Sequence, residues 1–218
     1  MKLKVCGMKY PDNMLEVASL QPDYLGFIFW KPSSRFFNST LADIPNNIKK
    51  VGVFVDSPLE DILEKINQYG LQTIQLHGKE SPEFCKELRQ AYKPISEATE
   101  KELEIIKVFS IKDNFNFSVL EAYEEVCDYF LFDTKGKLPG GNGYAFSWEI
   151  LKKSPSKKPY FLSGGIGLEE IEKIKDFLQR PESKYCYAID VNSRFESAPG
   201  LKEVEKLKDF KKEVMSFK

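Results

Sequence analysis

The stretch "KVGVFVDSPLEDILEKINQYGLQTIQLH" (residues 50–77) contains one complete strand–helix–strand unit. Two short apolar runs, 50–55 and 73–77, flank a segment that opens on Ser57-Pro58 and stops at Gly70. Proline near the first helical position and glycine just past the last are typical helix boundaries. Two strands joined through a helix pair in parallel, because the helix carries the chain back to the edge where the first strand began.

The same unit recurs along the whole chain. Strand-like runs occur at 3–6, 23–29, 50–55, 73–77, 104–110, 128–133, 159–163 and 187–191. Segments with the pattern of helices are 11–20, 57–70, 81–92, 117–126, 145–153, 168–179 and 200–214. The pattern is weakest in 30–49, which predicts at most a turn or two of helix, and in 93–103, which predicts an elaborated connection.

Eight βα units predict an α/β protein with a single (β/α)8 TIM barrel domain over residues 1–218. The competing architecture is an open, doubly wound sheet. That fold usually carries a GxGxxG turn after its first strand or a GxxxxGK[ST] loop, and neither motif occurs in this sequence. The closed barrel is therefore favoured.

Charge and cysteine content limit the class of protein. The 32 Lys and Arg residues nearly balance the 33 Asp and Glu residues, which argues against nucleic acid or an anionic membrane as partner. No apolar run approaches the roughly 20 residues of a membrane span, and no signal-peptide pattern precedes the first strand. The four cysteines form no CxxC pair, which is typical of reduced thiols in a cytoplasmic protein and not of a disulfide framework or zinc site.

Polar residues gather where the predicted strands end. These residues are Cys6, His77, Asp133, Ser163 and Asp190. Barrel strands are buried on both faces, so polar side chains there are costly unless they are paired or functional. A lone cysteine is more often a small core residue, an aspartate a helix cap and a single histidine structural. Their coincidence at one end of the barrel, where active sites of this fold lie, favours a functional site.

Two glycine-containing loops predict a phosphate site. "LSGGIG" (162–167) follows strand 7, and "DVNSRFESAPG" (190–200) follows strand 8. Loops at these two positions commonly bind phosphate through backbone N–H groups. The loop at 133–146 has four glycines and one proline, which predicts a mobile lid. Arg35, after strand 2, has the planar guanidinium that suits a carboxylate.

Taken together, these motifs resemble phosphoribosylanthranilate isomerases of tryptophan biosynthesis. The matching stretches are "KVCGM" (4–8), "GFIFWKPSSRFF" (26–37), "VGVFV" (51–55), "QLHG" (75–78), "LFDT" (131–134), "GGNGYAFSW" (140–148), "LSGGI" (162–166) and "DVNSRFESAPGLK" (190–202). The resemblance extends over essentially the whole chain, and the ordered set is specific although no single stretch is.

The resemblance implies an Amadori rearrangement of N-(5-phosphoribosyl)anthranilate to 1-(2-carboxyphenylamino)-1-deoxyribulose 5-phosphate, without metal or organic cofactor. It makes Cys6 the general base and Asp133 the general acid. An ordinary thiol has a pKa of about 8.5 and needs only a modest downward shift to act near neutral pH. Lys4, which shares a strand face with Cys6, could favour the thiolate or could equally pair with an inward carboxylate.

The same resemblance gives the binding residues. Arg35 would hold the anthranilate carboxylate, and Gly164, Gly165 and Ser193 would hold the phosphate. His77 and Asp190 would form walls of the site. Arg194 stands where the family usually has glycine, so that its guanidinium would add a phosphate contact or the backbone would differ.

Three other functions fit parts of the pattern. A histidine-pathway isomerase barrel should have an aspartate in place of Cys6 and two phosphate sites, whereas an indole-glycerol-phosphate synthase should carry an N-terminal extension and lysine and glutamate catalysts. A non-catalytic phosphate-binding barrel would need neither Cys6 nor Asp133. The expected partner is a small phosphorylated substrate, and the expected assembly is a monomer or homodimer.

Overall fold

Eight parallel strands close into a barrel in the computed structural model, which describes residues 1–99, 102–111, 114–134 and 147–216. The strands are β1 (Lys2–Val5), β2 (Tyr24–Ile28), β3 (Lys49–Phe54), β4 (Thr73–Leu76), β5 (Glu104–Ile111), β6 (Tyr129–Thr134), β7 (Tyr160–Leu162) and β8 (Cys186–Val191). Each pairs with the next in chain order, and β1 closes the barrel against β8 with Lys4 opposite Asp190. The predicted (β/α)8 barrel is confirmed.

Among the described residues, five α-helices pack outside the strands. They are α1 (Pro11–Ser19), α2 (Leu59–Tyr69), α3 (Pro82–Thr99), α4 (Ile171–Leu178) and α5 (Val204–Met215). In the opening stretch of the sequence, α2 ends at Gly70, whose left-handed φ of 60° suits a residue without a Cβ. No described helix is both long enough and apolar enough to cross a bilayer.

Several connections differ from the sequence prediction. Helix α3 continues through Thr99, so the expected elaborated connection at 93–103 is wrong over most of its length. The segments Phe117–Tyr123 and Trp148–Lys153 are 3₁₀ helices where α-helices were predicted. In the first, the Asn116 side chain accepts a hydrogen bond from the Ser118 amide, a local bond that competes with regular α-helix. Residues 29–48, all described, contain no helix.

The core has two layers, one on each face of the barrel wall. The larger lies between strands and helices and includes Phe27, Ile74, Phe130 and Phe210. The smaller lies inside the barrel and consists of Tyr24, Val51, Ile106, Val108, Leu131, Phe161 and Ala188. This inner layer closes the middle of the barrel, so that any cavity must lie at one of its ends. A short antiparallel hairpin, β9 (Glu196–Ala198) and β10 (Leu201–Lys202), follows β8.

Candidate active site

A pocket opens at the C-terminal ends of the strands. It is lined by Cys6, Ile28, Trp30, Ser33, Val53, Val55, Gln75, His77, Leu131, Asp133, Ser163, Gly164, Gly165, Ile166, Asp190, Asn192 and Ser193. All but two of the residues predicted from sequence are therefore around one cavity. The exceptions are Arg35 and Arg194.

Cys6 lies directly after β1, and its amide donates to the carbonyl of Val191 at 2.9 Å. The next residue, Gly7, has a φ of +77°. A Cβ on Gly7 would lie 2.7 Å from Asn192 Oδ1 and 2.8 Å from Arg35 Cδ. Glycine is thus required both for the turn and for the close approach of two side chains from other loops.

Burial raises the pKa of the Cys6 thiol, because the thiolate would lose its hydration. Lys4 and Lys202 oppose this effect with their positive charges, and Asp190 adds to it. The expected downward shift of this pKa is therefore wrong in direction. Desolvation outweighs the two cations because Cys6 is only 4% exposed.

The other three cysteines also have raised pKa values. Burial raises the pKa of Cys85 to about 11 and the pKa values of Cys127 and Cys186 to about 12. None of the three lines the pocket. What distinguishes Cys6 is its place in the pocket lining at the mouth of the barrel.

Asp133 and His77 meet across the pocket. Asp133 belongs to β6 and is 4% exposed, and His77 follows β4. Their closest atoms, Asp133 Oδ2 and His77 Nε2, are 3.5 Å apart. His77 Nε2 is buried and makes no hydrogen bond with any described residue. A small movement of either side chain would bring these two atoms within hydrogen-bond distance.

Asp190 lies on β8 between two partners. One carboxylate oxygen accepts from Lys4 Nζ at 2.7 Å, and the other accepts from the Ser163 hydroxyl at 3.1 Å. Lys4 is fully buried, so this ion pair is isolated from solvent. Both alternatives for Lys4 hold, because it pairs with an inward carboxylate and its charge also favours the Cys6 thiolate. The pair binds β1 to β8 directly beneath Cys6.

The two glycine-containing loops lie side by side at the pocket. Gly164 and Gly165 have φ values of +96° and +68°. No hydrogen bond between described residues uses the amide N–H of either glycine. Ser193, in the loop after β8, also lines the pocket. Unused amides facing a cavity are what a bound phosphate requires.

Arg35 lies beside the pocket and not in its lining. Its guanidinium makes a two-pronged contact with Glu196, Nε at 2.9–3.0 Å and Nη2 at 2.7 Å. Glu196 also accepts from Lys202 Nζ at 2.6 Å. The two cations hold the pKa of Glu196 below its usual range, and burial lowers that of Lys202 to about 8.

Arg194 is exposed, and its Cβ lies 3.0 Å from the position that a Cβ on Gly167 would take. It therefore packs against the start of the loop–helix segment after β7 and lies outside the pocket lining. The predicted lid falls at 133–146, and all of it after Thr134 is outside the described residues.

Three pocket residues with hydroxyl or carboxamide side chains were given no role by sequence reasoning: Ser33, Gln75 and Asn192. Strand alternation places Gln75 on the same face as His77, two positions later, but Gln75 was assigned no role from sequence. Asn192 depends on the twist of the chain after β8, which carries no local signal. Among the described residues, no group of three or more His, Cys, Asp or Glu side chains is placed to hold a metal ion.

Comparison with known proteins identifies the family. The family model of N-(5'-phosphoribosyl)anthranilate isomerase matches residues 3–213. The chain belongs to this family. An isomerase of that name from Phocaeicola vulgatus is 39% identical over 199 residues, which cover 91% of this chain and 90% of the relative.

Solved structures of the isomerase family have the same fold. A phosphoribosyl anthranilate isomerase from Thermus thermophilus has a TM-score of 0.82 at 27% identity, with all of both chains covered. Another isomerase structure is a complex with reduced 1-(o-carboxyphenylamino)-1-deoxyribulose 5-phosphate. It has a TM-score of 0.75 at 25% identity, with 99% of each chain covered.

Proposed function

We propose that this barrel isomerises N-(5'-phosphoribosyl)anthranilate with Cys6 as general base and Asp133 as general acid. The isomerase activity follows from family membership. The observation that carries the residue assignment is the pocket itself. It brings together a thiol, a carboxyl group and two glycine amides that bond to no described residue, at the ligand-binding end of the barrel.

The substrate is oriented by its phosphate. The amides of Gly164 and Gly165 and the hydroxyl of Ser193 would hold this group, because all three residues line the cavity and the two glycine N–H groups bond to no described residue. The carboxylate at the other end would approach Arg35. Glu196 occupies Nε and Nη2 of that guanidinium, which leaves Nη1 for the substrate.

The reaction then needs two proton transfers. Asp133, protonated, donates to the ring oxygen of the ribose, the C–O bond breaks, and the nitrogen lone pair forms a protonated Schiff base at C1. Cys6, as thiolate, removes the proton from C2 to give the enolamine, which tautomerises to the ketone. His77, 3.5 Å from Asp133, is placed to hold that carboxyl group in position. Lys4 and Lys202 stabilise the thiolate against its burial.

Turnover can be followed by the loss of substrate fluorescence. We expect Cys6→Ser and Asp133→Asn each to lower kcat by about 10²–10⁴-fold, the usual contribution of a positioned acid or base. Cys186→Ser and Asp128→Asn are matched controls, because both residues lie at the opposite end of their strands and outside the pocket. These two variants should retain full kcat.

An inactive wild-type protein would overturn the proposed function. Full kcat in either pocket variant would overturn the assignment of that residue while leaving the activity in place. A non-catalytic phosphate-binding barrel would bind the reduced product analogue without turning over substrate. Cytoplasmic location, a single domain over the whole chain and a monomer or homodimer stay predictions.

A further inference from the structure

Strand β4 carries a second polar side chain that no part of the reaction above uses. Gln75 is 2% exposed, lines the pocket, and lies two residues before His77 on the same face of the strand. Its Oε1 atom is buried without a hydrogen-bond partner among the described residues. A buried acceptor without a partner destabilises the folded state, so its presence needs a reason.

The strands beside Gln75 offer it no side-chain partner. In the barrel register it lies opposite Val53 of β3 and Ile106 of β5, both apolar. Thr73, two residues earlier on the same face, differs in this respect, because its hydroxyl donates to Glu104 at 2.9 Å. One face of β4 thus has a bonded polar group at its lower end and an unbonded one at the pocket.

We propose that the Gln75 carboxamide binds hydroxyl groups of the sugar portion of the substrate. The inference rests on the proposed function and deepens it. The phosphate is assigned to Gly164, Gly165 and Ser193, the C2 proton to Cys6, and the ring oxygen to Asp133. The remaining polar groups of a ribose phosphate are hydroxyls, each of which is both donor and acceptor. A carboxamide also offers both, and the unbonded Nε2 of His77 lies on the same side of the pocket.

The test compares Gln75→Met with the wild-type protein. Methionine has a similar length and volume but forms no strong hydrogen bond. We expect the dissociation constant of the reduced product analogue to rise about three- to tenfold, the range for one neutral hydrogen bond. The KM for substrate should rise in parallel. The Tm of the ligand-free protein should stay unchanged or rise, because Gln75 Oε1 bonds to no described residue.

Thr73→Val is the matched control. It alters a buried polar group on the same strand face that does not line the pocket. Its Tm should fall, and its affinity for the analogue should not change. Binding of inorganic phosphate should be equal in the wild type and Gln75→Met, because the phosphate loops lie on other strands.

Two results would overturn the inference. A lower Tm in Gln75→Met would show that Gln75 has a structural role, and unchanged analogue affinity would show that the carboxamide does not contact the sugar. Both are distinct from failure of the proposed function, in which the wild-type protein itself neither binds the analogue nor turns over substrate.

Discussion

The two ends of this barrel both carry polar clusters, and the clusters differ in how their hydrogen bonds are satisfied. At the N-terminal end Glu104 is the centre of what we term the basal cluster. It accepts from Lys49 Nζ at 2.5 Å, Thr73 Oγ1 at 2.9 Å and the hydroxyl of Tyr129 at 3.4 Å. At the C-terminal end, Gln75 and His77 each have a buried atom that bonds to no described residue.

The two ends of the barrel thus have different roles: the basal cluster stabilises the fold, and the pocket binds substrate. In the basal cluster each polar group compensates another, so the cluster contributes to folding and offers little to a ligand. In the pocket the uncompensated groups lower stability and are available to substrate. The same strands β4 and β6 contribute to both ends. Changes at the basal end should therefore alter unfolding, and changes at the pocket should alter kinetics.

The largest effect is expected at the centre of the basal cluster. Glu104→Leu would leave the hydroxyls of Thr73 and Tyr129 without their acceptor, which should lower the free energy of unfolding by about 2–3 kcal/mol. Glu104→Gln retains an acceptor and should cost less. Urea unfolding measures both, and kcat/KM of the folded variants should match the wild type. A large loss of kcat/KM in Glu104→Gln would contradict the separation of the two ends.

A smaller effect is expected from ionisation of Tyr24, which joins the basal cluster because its hydroxyl donates to Glu104 at 3.5 Å. The same hydroxyl lies 3.2 Å from that of Tyr187. Burial and these neighbours raise the pKa of Tyr24 well above that of an unfolded tyrosine. Its stabilising contribution is complete below pH 10, where tyrosine is protonated in both states. It is lost as the pH rises above 10, because the unfolded state releases the proton first.

The contribution of Tyr24 to the free energy of unfolding should be lost at a rate that approaches about 1.4 kcal/mol per pH unit well above pH 10. The free energy of unfolding, measured with urea between pH 9.5 and about pH 11, should therefore fall by about 1 kcal/mol more in the wild type than in Tyr24→Phe. Tyr10→Phe is the control, because Tyr10 is 42% exposed and should leave the slope unchanged. Equal slopes for all three proteins would show that the basal cluster does not hold Tyr24 protonated.

The smallest effect is a pH dependence at the pocket. Burial raises the pKa of Cys6, and the base must be deprotonated, so the active fraction grows with pH. We expect kcat/KM to increase nearly tenfold, without a plateau, when the pH rises by about one unit from neutrality. Steady-state assays over this pH range test the predicted increase in kcat/KM. Unfolding measured at the same pH values shows whether the protein stays folded. A flat profile would mean that another group is the base, that Cys6 is ionised in the free enzyme, or that loss of the general acid's proton offsets the gain in thiolate.

Much of the site could be predicted because parallel barrels impose a simple geometry. The carboxyl ends of all strands meet at one end, so polar residues such as Cys6, His77, Asp133 and Asp190 must gather there. The position of Arg35 was less predictable. Its guanidinium lies on Glu196, a residue of the later β9–β10 hairpin, and such long-range pairing has no local sequence signal.

The sequence by itself determined the strand and helix order, the barrel and the set of polar residues at its mouth. Hydrophobic periodicity and residue type are local properties, so they can be identified from the sequence alone. Only the tertiary structure decided the direction of the Cys6 pKa shift, the Lys4–Asp190 pair and the unbonded state of Gln75. Each depends on burial and on which strands become neighbours, because desolvation and hydrogen-bond satisfaction are properties of the packed barrel.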